Sequence, residues 1–195
     1  SSRRPTSGQN EKNMTTEKTA GKTTGALLDA DAPDMVRMTV AEATALGTDA
    51  LKRLNFTDEE AGIVTGHLID SALCGYKFAG LPRILAIAKS ARVKKGRQPI
   101  RIVQETPVSA SVDGGNNVGY LAAWHASGIG IEKAKAMGMS AVGVHNTFYS
   151  GRGAYYVERM VKEGLAVICA ASAQPKVLAP GAMDAVMGTN PICIG

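Results

Sequence analysis

Four polar, glycine-bearing segments hold most of the side chains in this chain that could do chemistry. Asp113-Gly114-Gly115-Asn116-Asn117-Val118-Gly119 reads as a loop between a strand and a helix, where freed backbone amides point at an anion. The same residues suit a plain strand-to-helix turn in which Gly and Asn supply positive φ. His145-Asn146-Thr147-Phe148-Tyr149-Ser150-Gly151 follows an apolar run and precedes a helical pattern, a place where α/β proteins build their sites. Within it His145 is a candidate acid–base group, and the Tyr149 hydroxyl could donate to a carbonyl oxygen. A structural imidazole and a phenol capping a cavity are the competing readings. Residues 172–181 form a third loop, with Lys176 either a partner for a phosphate or carboxylate or a solvated surface lysine. Gly188-Thr189-Asn190-Pro191 is a fourth, a backbone turn ahead of an apolar run. Four such loops at successive connections suggest one shared cleft.

The elements that must position these loops follow from capping and periodicity. Thr39 with Glu42, and Thr57 with Glu60, are capping boxes that open helices over roughly 40–54 and 58–74. Pro82 begins a third helix through about residue 93. Residues 100–103 and 108–112 read as strands with Pro107 between them. A helix over about 118–137, a strand over 140–144, a helix over about 153–163, a strand over 165–170 and a last strand from Ile192 complete the series. Alternation of this kind predicts an α/β layered sheet with helices. Gly128-Ile129-Gly130 and Gly151-Arg152-Gly153 both lack the third glycine of a dinucleotide fingerprint, so the expected fold is not a Rossmann fold. The chain divides into a flexible basic arm (1–36), a helical region (37–105) and the first part of an α/β domain (106–195). The Ile192-Cys193-Ile194 run reads as the start of a buried strand, so that domain is expected to be completed by a second chain or by further C-terminal polypeptide.

Composition excludes several classes. Of 195 residues, 45% are hydrophobic, enough for a real core, and only 5% are aromatic. The net charge is +5, of which residues 1–22 supply +3 through Arg3, Arg4, Lys12, Lys18 and Lys22 against Glu11 and Glu17. A basic arm on a near-neutral body with few aromatics argues against a nucleic-acid partner. Gly21-Lys22-Thr23 lacks the earlier glycine and the preceding strand of a phosphate-binding loop. Cys74, Cys169 and Cys193 lack metal or redox spacing and read as buried free thiols in a reducing compartment. No apolar run reaches the length of a membrane span and the N-terminus has no signal core, so no membrane and a cytoplasmic location are expected.

The blocks Asp113–Gly119, Leu121-Ala-Ala-Trp-His125, Ala134–Gly138, Val144-His-Asn146, Gly151, Tyr155-Tyr156 and Gly188-Thr-Asn-Pro-Ile192 together resemble the type-2 malate/L-lactate dehydrogenase family. That family includes ureidoglycolate dehydrogenase and the cyclic-imine carboxylate reductases. The resemblance covers about residues 38–195. It implies a non-Rossmann nicotinamide-binding α/β fold that uses NAD or NADP, acts on a small 2-oxo acid or cyclic imine, and is usually dimeric. The cleft would then be lined by Asp113, Gly114, Gly115, Asn116, Asn146, Lys176, Gly188, Thr189 and Asn190. Anchored on Leu81-Pro82, the family's Ser-His-Gly motif falls on Gly75-Tyr76-Lys77, so tyrosine replaces the proton-transferring histidine. Gly80 replaces an arginine that would hold the substrate carboxylate, and a second family histidine falls on Tyr149. Tyr76, Lys77, Tyr149 and His145 are therefore the expected catalytic residues. A tyrosine near pKa 10 would serve as proton donor only with a cation such as Lys77 beside it.

Two other functions fit the same residues. In one, cleavage after Gly195 exposes a Ser, Thr or Cys nucleophile of an amide or lactam hydrolase, with no nicotinamide cofactor. In the other, the chain is a non-catalytic subunit of an oligomer. No metal is expected in any of the three.

Overall fold

A computed structural model describes residues 36–195. The expected flexible arm lies outside the described residues, Val36 apart, as does Gly21-Lys22-Thr23. Residues Thr39–Gly195 form one compact unit.

Both capping boxes form. Thr39 N–H donates to Glu42 Oε2 at 2.7 Å and opens α1 (Val40–Lys52); Thr57 N–H donates to Glu60 Oε2 at 3.0 Å and opens α2 (Asp58–Leu73). The two helices close on each other at Gly47, where a Cβ would stand 2.9 Å from Thr65 Cγ2. A 3-10 turn (Lys77–Ala79) leads to α3 (Arg83–Lys89). The single helix expected over 82–93 breaks at Ser90, whose extended ψ of 129° lets its hydroxyl cap a separate turn, α4 (Ala91–Lys94). Leu51, Val64, Leu68, Ile87 and Leu121 are completely buried at the centre of this helical cluster. Each contributes roughly 1.5–3 kcal/mol relative to exposure.

β1 (Arg101–Thr106) turns through Pro107 and pairs antiparallel with β2 (Ser109–Val118). The division expected at 105/106 thus falls inside β1. β2 pairs parallel with β3 (Ala141–Phe148), which requires a crossover, and α5 (Gly119–Met137) is that crossover. The sheet order is β1-β2-β3. α6 (Gly153–Val161) follows, then β4 (Ile168–Ala170) and β5 (Ile192–Ile194), an antiparallel pair forming a separate two-stranded sheet. The α/β class therefore holds, although the strands do not build one continuous layer.

Three sequence expectations need correction here. Residues 113–119 are not a loop: they lie in β2 up to Val118, with a register shift between Asp113 and Asn117 and positive φ at Gly115 (59°) and Asn116 (57°). Gly and Asn signal a bulge in a strand as readily as a turn between elements. β3 likewise continues past residue 144 to Phe148 and carries His145 and Asn146 within it. Of the thiols expected to be buried, Cys74 is exposed at the end of α2, while Cys169 and Cys193 are half-buried and face each other across β4 and β5. β5 is paired with β4 along its whole length, yet Ile168, Ile192 and Ile194 are 77%, 68% and 77% exposed.

Candidate active site: the turn after β3

The chain between β3 and α6 is a strained turn on a rigid base. Tyr149 has φ 58° and Gly151 φ 71°. A left-handed tyrosine is uncommon, because its Cβ crowds the backbone, and such strain persists only where the surroundings over-determine it. Those surroundings are visible. The turn crosses the start of α5 so closely that a Cβ on Gly119 would lie 2.7 Å from Ser150 Cα. Tyr156, buried on α6, donates its hydroxyl to the Ser150 carbonyl at 2.7 Å. The Arg152 N–H donates to His67 Nε2 at 2.9 Å, and the Arg152 guanidinium is held by Asp70 and Glu158.

His67 is fully buried among three phenol rings, with centroid distances of 4.8 Å to Tyr120, 4.5 Å to Tyr155 and 5.3 Å to Tyr156. Burial pushes its imidazole down to about 4; Asp70 opposes that shift and Arg152 adds to it. It is therefore neutral near pH 7. Because Nε2 accepts from the backbone, the proton sits on Nδ1, which has no partner.

Above this base Tyr149 is exposed. Its ring meets Phe148 edge to face at 5.2 Å, and the Arg83 guanidinium lies over it, 5.5 Å from the centroid. Arg83 opens α3, and its Nε is shielded from solvent without a hydrogen-bond partner. Burial pushes the neighbouring Tyr120 phenol up to about 12, with Arg83 pulling it the other way. The turn thus presents the exposed Tyr149 ring with the Arg83 guanidinium over it.

The other predicted residues fall into separate groups. Asp113 accepts from the Asn146 side chain at 2.8 Å and from the Gly115 amide at 2.9 Å; these bonds, the backbone one foremost, hold its carboxyl below the usual range. Asn116 donates to the carbonyls of Arg92 and Gly96, and a Cβ on Gly114 would stand 3.0 Å from the His145 carbonyl oxygen. The segment expected to cradle a phosphate is filled by protein: the Gly115 amide is engaged, and the glycines make room for residues 92–98 and 145–147. Its Gly and Asn residues serve neither a phosphate loop nor a strand-to-helix turn but a bulge within β2. His145 is exposed on β3 opposite Asp113.

Gly188 and Asn190 fold back onto residue 173, with Asn190 Oδ1 accepting from the Ala173 N–H at 2.9 Å; Lys176 and Thr189 are exposed on the same arch. Among the described residues no hydrogen bond or ion pair joins this arch to the Asp113–Asn146 pair. Tyr76 and Lys77 are exposed at the 3-10 turn, where the ring neighbour of Tyr76 is Phe78. A cavity of about 490 Å³ lined by Glu60, Arg97, Ile100, Asn117, His125 and Ile129 takes in Asn117 of the 113–119 segment but neither Tyr149 nor Tyr76. No cluster of His, Cys, Asp or Glu suited to a metal occurs among the described residues.

Arg83, His67, Tyr120 and Arg152 were not legible as site residues. Their significance comes from contacts across the fold, such as Arg152 with His67, 85 positions apart.

This arrangement belongs to a known class: residues 38–195 match the malate/L-lactate dehydrogenase family, and the chain is a member of that oxidoreductase family. It is 28% identical over 162 residues to L-sulfolactate dehydrogenase of Methanothermobacter thermautotrophicus, covering 82% of this chain and 48% of that protein. It is 32% identical over 149 residues to hydroxycarboxylate dehydrogenase B of Escherichia coli O157:H7, covering 73% and 41%. Malate dehydrogenase of Pyrococcus horikoshii OT3 superposes with a TM-score of 0.75 at 26% identity, over 82% of this chain and 46% of that one. The chain spans about half the length of the curated relatives it matches.

Proposed function

We propose that the chain is part of an NAD(P)-dependent oxidoreductase that interconverts a 2-oxo acid or cyclic imine carboxylate with its reduced form, and that Tyr149 is its proton-transferring group. Family membership and the relatives, named for sulfolactate, hydroxycarboxylate and malate, support this chemistry over amide hydrolysis. The observation that carries the assignment is the left-handed, exposed Tyr149 beneath the Arg83 guanidinium on a base clamped by His67, Arg152 and Tyr156. Tyr76 is the weaker candidate because it stands on an exposed turn. A nicotinamide supplies the hydride when bound. The Tyr149 hydroxyl donates to the substrate's carbonyl or imine atom as negative charge develops there.

The exposed face of Ile168, Ile192 and Ile194 is proposed to be covered by further polypeptide of the same enzyme, since the relatives are about twice as long as this chain.

Removing the hydroxyl tests the reading. In the full chain as expressed, Tyr149→Phe should lower kcat with NADH or NADPH and a 2-oxo acid by about 10²-fold while the melting temperature is retained. Unchanged kcat in a folded Tyr149→Phe variant overturns the assignment of Tyr149. Failure of the parent protein to oxidise either cofactor with any 2-oxo acid or cyclic imine overturns the proposed activity.

A further inference from the structure

Arg83 is a cation with an unfilled position. Its Nε is buried and lacks a hydrogen-bond partner, and among the described residues no carboxylate pairs with it. A buried donor left unmade costs on the order of 1–3 kcal/mol, more for a charged group. Two of its neighbours are phenols: the Tyr149 ring under the guanidinium and the buried Tyr120, whose hydroxyl is hydrogen-bonded to Arg83. Neither brings the negative charge that a guanidinium fork matches best.

Three residues earlier, Gly80 stands where an arginine would be expected to grip a substrate carboxylate. That position is closed. A Cβ on Gly80 would lie 2.9 Å from Ala72 Cβ and 3.3 Å from the Lys77 carbonyl oxygen, so no longer side chain fits. Gly80 itself is buried beneath the 3-10 turn.

We propose that Arg83 is the carboxylate anchor of this enzyme, binding the 1-carboxylate of the substrate through its guanidinium fork and setting the adjacent C2 centre beside Tyr149. This rests on the 2-oxo-acid reading above and names the group that recognises the acid. It makes the site specific for 2-oxo acids over their amides, because an uncharged amide leaves the buried Nε–H and the positive charge uncompensated. A competing occupant is an acidic side chain from polypeptide beyond the described residues, which would fill the same fork and leave no room for a substrate.

The test uses the full chain with oxamate, an unreactive 2-oxo-acid mimic, and oxamide, its uncharged counterpart. Affinities come from calorimetry with the reduced cofactor present, and folding from melting temperature. The parent should bind oxamate at least 30-fold more tightly than oxamide. Arg83→Met should abolish that preference, and Arg83→Lys, which keeps the charge but not the fork, should weaken oxamate about tenfold at unchanged melting temperature. KM for a 2-oxo acid should rise more than kcat falls in both variants.

Oxamate affinity and KM unchanged in Arg83→Lys overturn the proposal, whether or not Arg83→Met folds. A large drop in melting temperature with oxamate binding intact would assign the fork to a protein carboxylate, and also overturns it. A parent that reduces 2-oxo acids while its Arg83 variants keep the parental KM loses only the anchor. A parent that neither reduces them nor binds oxamate loses the underlying reading instead.

Discussion

Tyr149 and His67 show how one turn divides its labour. Tyr149 carries positive φ and exposure, two properties that cost stability and make sense at a reactive centre. His67 carries the opposite pair, complete burial and a suppressed charge, and holds the turn from below through the Arg152 amide. The proton His67 refuses makes the fold sensitive to acid. In the unfolded chain its pKa is near 6.5, and in the folded state about 4, so below pH 6.5 the unfolded state binds a proton that the native state does not. The stability that His67 supplies is fully present above about 6.5 and is lost as pH falls towards 4, by roughly 3 kcal/mol in all. Urea unfolding at pH 7 and pH 4 should show that loss on top of whatever a His67→Gln variant loses over the same interval. Equal losses in the two proteins would mean that His67 is not held neutral.

At the scale of elements, local signals were readable and shared ones were not. The boxes at Thr39 and Thr57 were legible because all their partners lie within three residues, and α5 was placed within a residue of its ends. The 113–119 segment was misread because its composition serves a loop and a bulged strand equally. What decides between them is the parallel partner β3 and the crossing 92–98 segment, both distant in sequence. The site was half legible for the same reason: Tyr149 stands out in its own segment, whereas the histidine and arginines around it matter only through contacts with α2 and α3.

Asn117 shows what the bulge is for. It is buried, donates to the carbonyls of Gln98 and Gly114, and accepts from Arg97, which also pairs with Glu60 of the second capping box. One side chain thus ties β2, the preceding segment and α2 together. Asn117→Ala should destabilise by about 1–3 kcal/mol, since it leaves the buried Gly114 carbonyl unpaired and cuts the Arg97 link. Chemical denaturation checks this, and a change below about 0.5 kcal/mol would show that the network is dispensable.

At the scale of the whole molecule, the helical cluster forms a closed core, while β4 and β5 present three isoleucines to solvent. That asymmetry agrees with a chain spanning about half the length of its relatives. Among the described residues no helix is long and apolar enough to cross a membrane, so this apolar face does not belong to a membrane-spanning helix. On the proposed reading, acid recognition and proton transfer lie on the turn after β3. The central claim is therefore that hydride reaches C2 of an acid held at that turn. Its most direct test is isotopic: the full chain is supplied with nicotinamide cofactor deuterated at C4 and a 2-oxo acid, and the product is examined by proton NMR and mass spectrometry. The account predicts one deuterium bonded to C2 of a single hydroxy-acid enantiomer. Product lacking deuterium with cofactor deuterated on either face, or no product with either cofactor, contradicts it.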